Sequence, residues 1–220
     1  MHGAWVGEWS WLPVMDRLEA SGRPVHTVSL TGHGARRHQS GPHVTLATHV
    51  DDVVGVIETL DLSAITLVGH SYGGRVITQV ATRVPDRLRS MVYLDAHAPV
   101  APDPGQSPER IAAAEANGGM LPFEIYEPDP AMIGGAAAYE WFMARTMPQS
   151  FACIRDPWAA PLPDGVDRHF VFAGADDPSR FQHYADAARE DPTWRYHELA
   201  GPHWLMMSHP GEVADIILEA

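Results

Sequence analysis

The sequence predicts an α/β fold, a mostly parallel sheet flanked by helices and carrying an insertion over the sheet's carboxyl edge. Three observations carry that prediction. Short apolar, β-branched runs alternate with longer amphipathic ones, which is the pattern of βαβ units. A Gly-x-Ser-x-Gly turn at 69–73 stands between one apolar run and a helix-like segment. Residues 97–164 break the alternation with clustered prolines and Gly-Gly pairs at 118–119 and 134–135.

Taken in order, Leu12, Met15 and Leu18 predict a helix beginning near Pro13, a residue favoured in the first helical turn. An apolar run at 24–30 predicts the first strand. Leu46, Val50, Val53, Ile57 and Leu60 recur at helical spacing. Residues 64–69 predict a strand, Ile77, Val80, Ala81 and Val84 a helix, and 90–94 a further strand. The stretch 97–164 reads as a cap, with helical segments at 111–116 and 136–146, because structureless loops of such length are uncommon in compact domains. Strands at 168–173 and 193–199 follow, then a closing helix with Val213, Ile216 and Ile217 on one side. The expectation is one domain over 1–220, with its core in 1–96 and 165–220.

Composition narrows the function. The chain has 220 residues, 45% of them hydrophobic, so it can bury a sizeable core. No apolar run reaches the length of a membrane span, and no basic-then-apolar leader opens the sequence. The charge count is 15 basic against 28 acidic residues, a formal net charge of -13. Such a surface repels phosphates, so no nucleic-acid partner and no membrane partner are expected. Every cation is an arginine and lysine is absent, which excludes any mechanism that needs an ammonium side chain. Cys153 is the sole cysteine; no intrachain disulfide is possible, and a reducing, cytoplasmic setting is the expectation.

Chemistry concentrates at the turn. Gly69-His70-Ser71-Tyr72-Gly73-Gly74 follows the apolar run 65–68 and precedes a helix, the strand–turn–helix setting of a nucleophile elbow. A serine there projects from the sheet edge, and glycines two residues to either side let strand and helix approach. Ser71 is thus the nucleophile candidate. A base is required next. Of thirteen histidines, His203 is favoured because it follows the last predicted strand, where a loop reaches the carboxyl edge. His209, beside Pro210, is the reserve. An acid should lie between serine and histidine in chain order. Asp176 and Asp177, after the apolar strand 168–173, are the leading candidates, and Asp95 at the end of 90–94 is a third.

With these residues in place, the chain resembles the α/β-hydrolase superfamily, in particular its esterase branch similar to plant methylesterases and hydroxynitrile lyases with their bacterial relatives. The resemblance rests on His2-Gly3-Ala4-Trp5, Leu30-Thr31-Gly32-His33-Gly34, the elbow, Tyr93-Leu94-Asp95-Ala96, Arg145-Thr146-Met147-Pro148-Gln149 and Pro202-His203-Trp204. It covers nearly the whole chain and is weakest over 100–140. The α/β-hydrolase fold is its implication, with a triad of Ser71, His203 and Asp177; the family's Gly-x-x-Asp spacing from Gly174 selects Asp177 over Asp176. The resemblance also implies an oxyanion hole made by the backbone N–H groups of Ala4 and Tyr72. Independently of the resemblance, the pocket candidates are His2, Trp5, Trp141, Phe142 and Trp204, with Tyr139 and Met143 beside them, since aromatics and methionines suit an apolar, adaptable lining.

The implied activity is serine-dependent hydrolysis of a small to medium hydrophobic carboxylic ester, with no cofactor and no metal. Thioester, lactone or carbon–carbon hydrolysis, or a biosynthetic rearrangement on the same triad, is the alternative; a non-catalytic receptor is another. A homodimer is left open. Lyases of this branch place a lysine beside the catalytic histidine, where this chain has Trp204, which disfavours cyanohydrin cleavage. Aspartate-nucleophile members are disfavoured by Ser71. In the family an interior strand precedes the His-Gly motif, between the strands here at 24–30 and 64–69. Met1 stands directly before His2, so the expectation is a sheet lacking that strand, in a chain whose native form begins earlier.

Overall fold

The computed structural model describes every residue except 124–129, 134, 156–157 and 176–178, and only the backbone of 131 and 132. Its sheet contains β1 (Ile65–His70), β2 (Leu88–Leu94), β5 (Asp167–Ala173) and β6 (Arg195–Leu199) in the order β1-β2-β5-β6, all parallel. β3 (Met120–Leu121) and β4 (Gln149–Ser150) form a separate antiparallel pair. Nine α-helices are described: α1 (Leu12–Ala20), α2 (Leu46–Thr59), α3 (Gly73–Arg83), α4 (Pro108–Ala116), α5 (Ala136–Met143), α6 (Ala152–Arg155), α7 (Gln182–Glu190), α8 (Leu205–Ser208) and α9 (Pro210–Glu219).

The two inner strands are buried almost throughout, from Ser90 to Leu94 and from His169 to Ala173. Parallel strands covered on both faces need such unbroken apolar runs. α3 packs on β1, and α2 packs on α3; α1 lies against α9. The helix α2 starts where Thr45 and Thr48 form a reciprocal capping box, and its repeat of Val50, Val53, Val54 and Ile57 is buried. The α3 face made by Val76, Ile77, Val80 and Ala81 is likewise fully covered.

One expected strand is not formed. Residues 24–30 belong to no sheet among the described residues. A cavity of about 290 Å³ lies between 24–28 on one side and 64–68 on the other, with Met1 in its lining. Without a neighbour at pairing distance, the run 24–30 has no ladder to join. Among the described residues, Met1 alone pairs with this flank of β1: its carbonyl accepts from the His70 N–H at 3.1 Å, and its amino group donates to the Val68 carbonyl. The cavity lies between the runs 24–30 and 64–69, where the family resemblance implies an interior strand. No helix among the described residues is long and apolar enough to cross a membrane.

Candidate active site

Ser71 sits where β1 ends and α3 begins, at a φ of +53°. Side chains other than glycine rarely adopt that backbone, and they persist there only when the surroundings enforce it. The enforcement is visible: the Ser71 N–H donates to Leu94 C=O at 3.2 Å, and the Ser71 C=O accepts from His97 N–H at 3.2 Å. A Cβ on Gly69 would lie 2.7 Å from the Gly73 carbonyl oxygen, and one on Gly73 would lie 2.9 Å from that of His2. The elbow's glycines are therefore contact requirements, as the motif implied.

His203 occupies the loop between β6 and α8. Its Nδ1 lies 2.6 Å from Asp95 Oδ2, a carboxylate with 1% of its side chain exposed. Its backbone carbonyl accepts from His70 Nε2 at 2.9 Å, and its ring lies parallel to Phe181, 5.2 Å between centroids. Because a carboxylate only accepts, the His203 proton resides on Nδ1, and Nε2 is left as the basic nitrogen. Asp177, the acid implied by the family spacing, and Asp176 lie outside the described residues.

Ala4 and Tyr72, the expected oxyanion donors, line one cavity with Ser71 and His203. Tyr72 directly precedes α3, so the partial positive charge of that helix's amino end faces the same place. The loop bearing Ala4 is pinned at Trp5: its indole donates to Leu121 C=O at 2.9 Å, and its carbonyl accepts from Met147 N–H at 2.8 Å. The cavity itself is small, about 30 Å³, and is also lined by Trp5, His97, Gln106, Arg110, Ile154, Arg180, Phe181 and Trp204.

Of the expected pocket residues, Trp5 and Trp204 thus reach the cavity. His2 lies behind it, buried, with Nδ1 donating to Gly3 C=O at 2.8 Å and Nε2 accepting from Leu30 N–H at 3.2 Å. Phe142 is fully buried and packs edge-on against Trp204 at 4.8 Å, one layer back. Trp141 is 38% exposed, against Trp9 and beneath the Arg145 guanidinium. Tyr139 and Met143 are partly buried against the core and lie outside the lining. His209 opens α9 with Nδ1 2.8 Å from Ser208 Oγ, away from the cavity lining. Sequence reading missed Gln106, Arg110 and Ile154, which only the folding of 97–164 brings to the site. His97 and Phe181 follow the carboxyl ends of β2 and β5, so attention to that edge would have found them.

Burial pushes the His70 and His97 imidazoles well below the ordinary histidine range, for His97 with help from the Arg75, Arg180 and Arg110 guanidiniums. Both are neutral at pH 7. The Cys153 thiol is pushed up to about 11 by burial, so it offers no thiolate nucleophile. Among the described residues, no group of three His, Cys, Asp or Glu side chains could hold a metal ion.

Ser71 on a strained strand–helix turn lines one cavity with His203 from the loop after the last strand, the arrangement expected of an α/β-hydrolase, and the chain belongs to the alpha/beta hydrolase family, whose model matches residues 1–216. Among curated proteins it is similar to the carbendazim hydrolyzing esterase of Nocardioides sp. (strain SG-4G), 35% identical over 98% of this chain and 95% of that protein. Among solved structures it resembles a methylesterase from Arabidopsis, with a TM-score of 0.80 and 19% identity over 100% of this chain and 95% of the other. An extracellular alpha/beta-hydrolase from a Paenibacillus species aligns at a TM-score of 0.74 and 24% identity, covering 100% of this chain and 96% of that one. At such identities the two structures establish the fold.

Proposed function

We propose that the protein is a serine esterase acting on small to medium hydrophobic carboxylic esters. The observation that carries this reading is the placement of Ser71 at φ +53° in one cavity with His203, whose Nε2 is left basic by the Nδ1 bond to Asp95. Ser71 Oγ attacks the ester carbonyl while its proton passes to His203 Nε2. The N–H groups of Ala4 and Tyr72 hold the oxyanion. Collapse of the intermediate expels the alcohol, which takes the proton from His203. Water then gives a proton to His203 and attacks the acyl-serine, and the acid leaves as Ser71 recovers its hydrogen.

Trp5, Ile154, Phe181 and Trp204 supply the apolar walls, and the cavity's volume of about 30 Å³ favours a compact group on the side of the carbonyl that it receives. The segment 97–164, with Gln106, Arg110 and Ile154 in the lining, is proposed as the cap over this site, in the single domain 1–220.

Two measurements test the reading. A fluorophosphonate should label the protein at Ser71, and Ser71→Ala should lose both label and turnover, by roughly 10³-fold or more. Retained hydrolysis in that variant would remove the serine from the mechanism. A panel of a short alkyl ester, a thioester, a lactone and carbendazim separates ester chemistry from its alternatives, and a receptor would leave both label and panel untouched.

A further inference from the structure

We infer that Asp95 is a positioning residue for catalysis: the end of β2 supplies a carboxylate that holds the His203 ring and its tautomer. This rests on the serine-esterase reading above. Family spacing points to the loop after β5 for such an acid, whereas the geometry assigns the contact to the strand before it.

Four features converge on Asp95. Its Oδ2 lies 2.6 Å from His203 Nδ1, within the range of a charge-assisted bond. Its other oxygen accepts from the Ala173 N–H at 3.3 Å. The Asp95 N–H donates to Val171 C=O at 2.7 Å, so the residue is fixed to β5 at both its backbone and its side chain. Its φ is +41°, a conformation an aspartate adopts at a cost and retains where the surroundings over-determine it. A buried carboxylate is tolerated only when its oxygens are satisfied, and here one partner is the candidate base itself. An aspartate that merely closed a turn would have no need to face an imidazole. His70, tilted against the His203 ring with centroids 4.5 Å apart, is kept neutral by burial and adds no competing charge.

The test compares Asp95→Asn, Asp177→Asn and Ser71→Ala in the full chain, using p-nitrophenyl acetate across a range of pH. Asp95→Asn should lower kcat by roughly 10²- to 10⁴-fold, as expected when a triad loses its orienting acid, with KM changed less than about threefold. The acidic limb of its kcat/KM profile should move to lower pH, because the imidazolium loses its facing carboxylate. Asp95→Ala, which buries no amide, is the second variant, and added formate should restore part of its rate. A purely structural aspartate would move neither the pH limb nor the formate response. The inference is overturned if Asp95→Asn stays within threefold of the parent at every pH while Asp177→Asn shows both the loss and the shift. Absence of formate rescue in a folded but inactive Asp95→Ala protein would also count against it. Full turnover in Ser71→Ala would instead overturn the esterase reading, so the two failures are distinguishable.

Discussion

Tyr72 serves two neighbours. Its N–H is a proposed oxyanion donor, and its hydroxyl lies 2.9 Å from His49 Nδ1. His49 Nε2 donates to Thr31 C=O at 2.9 Å, so its Nδ1 must accept and the tyrosine must donate. Burial raises the Tyr72 phenol well above its usual range, which keeps that proton in place. Tyr72→Phe should leave a buried imidazole nitrogen unpaired and cost roughly 1–3 kcal/mol of stability, read in urea unfolding. Turnover should fall less than tenfold, because the backbone N–H survives. Ser71 and His203 were legible in the sequence because a strained turn and a last-strand loop each leave a local signature. Asp95 entered only as a third candidate, since linear order cannot reveal which strand end faces the histidine. Trp141 and Phe142 show a second limit: neighbours on a helix point about 100° apart, so a pair of adjacent aromatics cannot both face one pocket.

At the scale of the element, the elbow is a steric agreement between β1 and α3. Gly69→Ala would place a methyl 2.7 Å from the Gly73 carbonyl oxygen, backbone that cannot rotate away. The expected cost is roughly 1–3 kcal/mol, as for overpacking elsewhere. Activity should be lost at temperatures where circular dichroism still reports a folded sheet, and an unchanged melting temperature with full turnover would contradict this. Most elements were readable because their apolar periods are strong: α2, α3 and the strands β1, β2 and β5 match the predicted runs closely. The run 24–30 has equally good strand composition and forms none. Strand propensity expresses fit to a pleated neighbour, and here the neighbouring space is the 290 Å³ cavity.

For the whole molecule, pH response belongs to buried histidines. Burial lowers His33 to about 3, and His49 and His169 to about 4. An unfolded histidine binds its proton near pH 6.5, whereas these folded ones stay neutral to far lower pH. The unfolded state therefore takes up more protons, and stability falls as pH drops from about 6.5 toward 4. Above pH 7 this contribution is complete. For the nearly fully buried His33 and His49 the loss reaches roughly 3 kcal/mol each by pH 4. Urea midpoints at pH 7.5 and 5 should differ accordingly, and His49→Asn should flatten the dependence.

The bonds around Ser71 also make catalysis a gauge of the sheet. Leu94 C=O holds the N–H of Ser71, the proposed nucleophile; Val171 C=O holds that of Asp95; and the His203 carbonyl is held by His70. Four strand ends are thereby stitched together across the site. A breathing motion that parts β2 from β5 by one bond length would turn the carboxylate from the imidazole while most of the fold stayed intact. On warming, hydrolysis should consequently fade before the far-ultraviolet signal does, reporting the first opening of one seam and not the collapse of the whole.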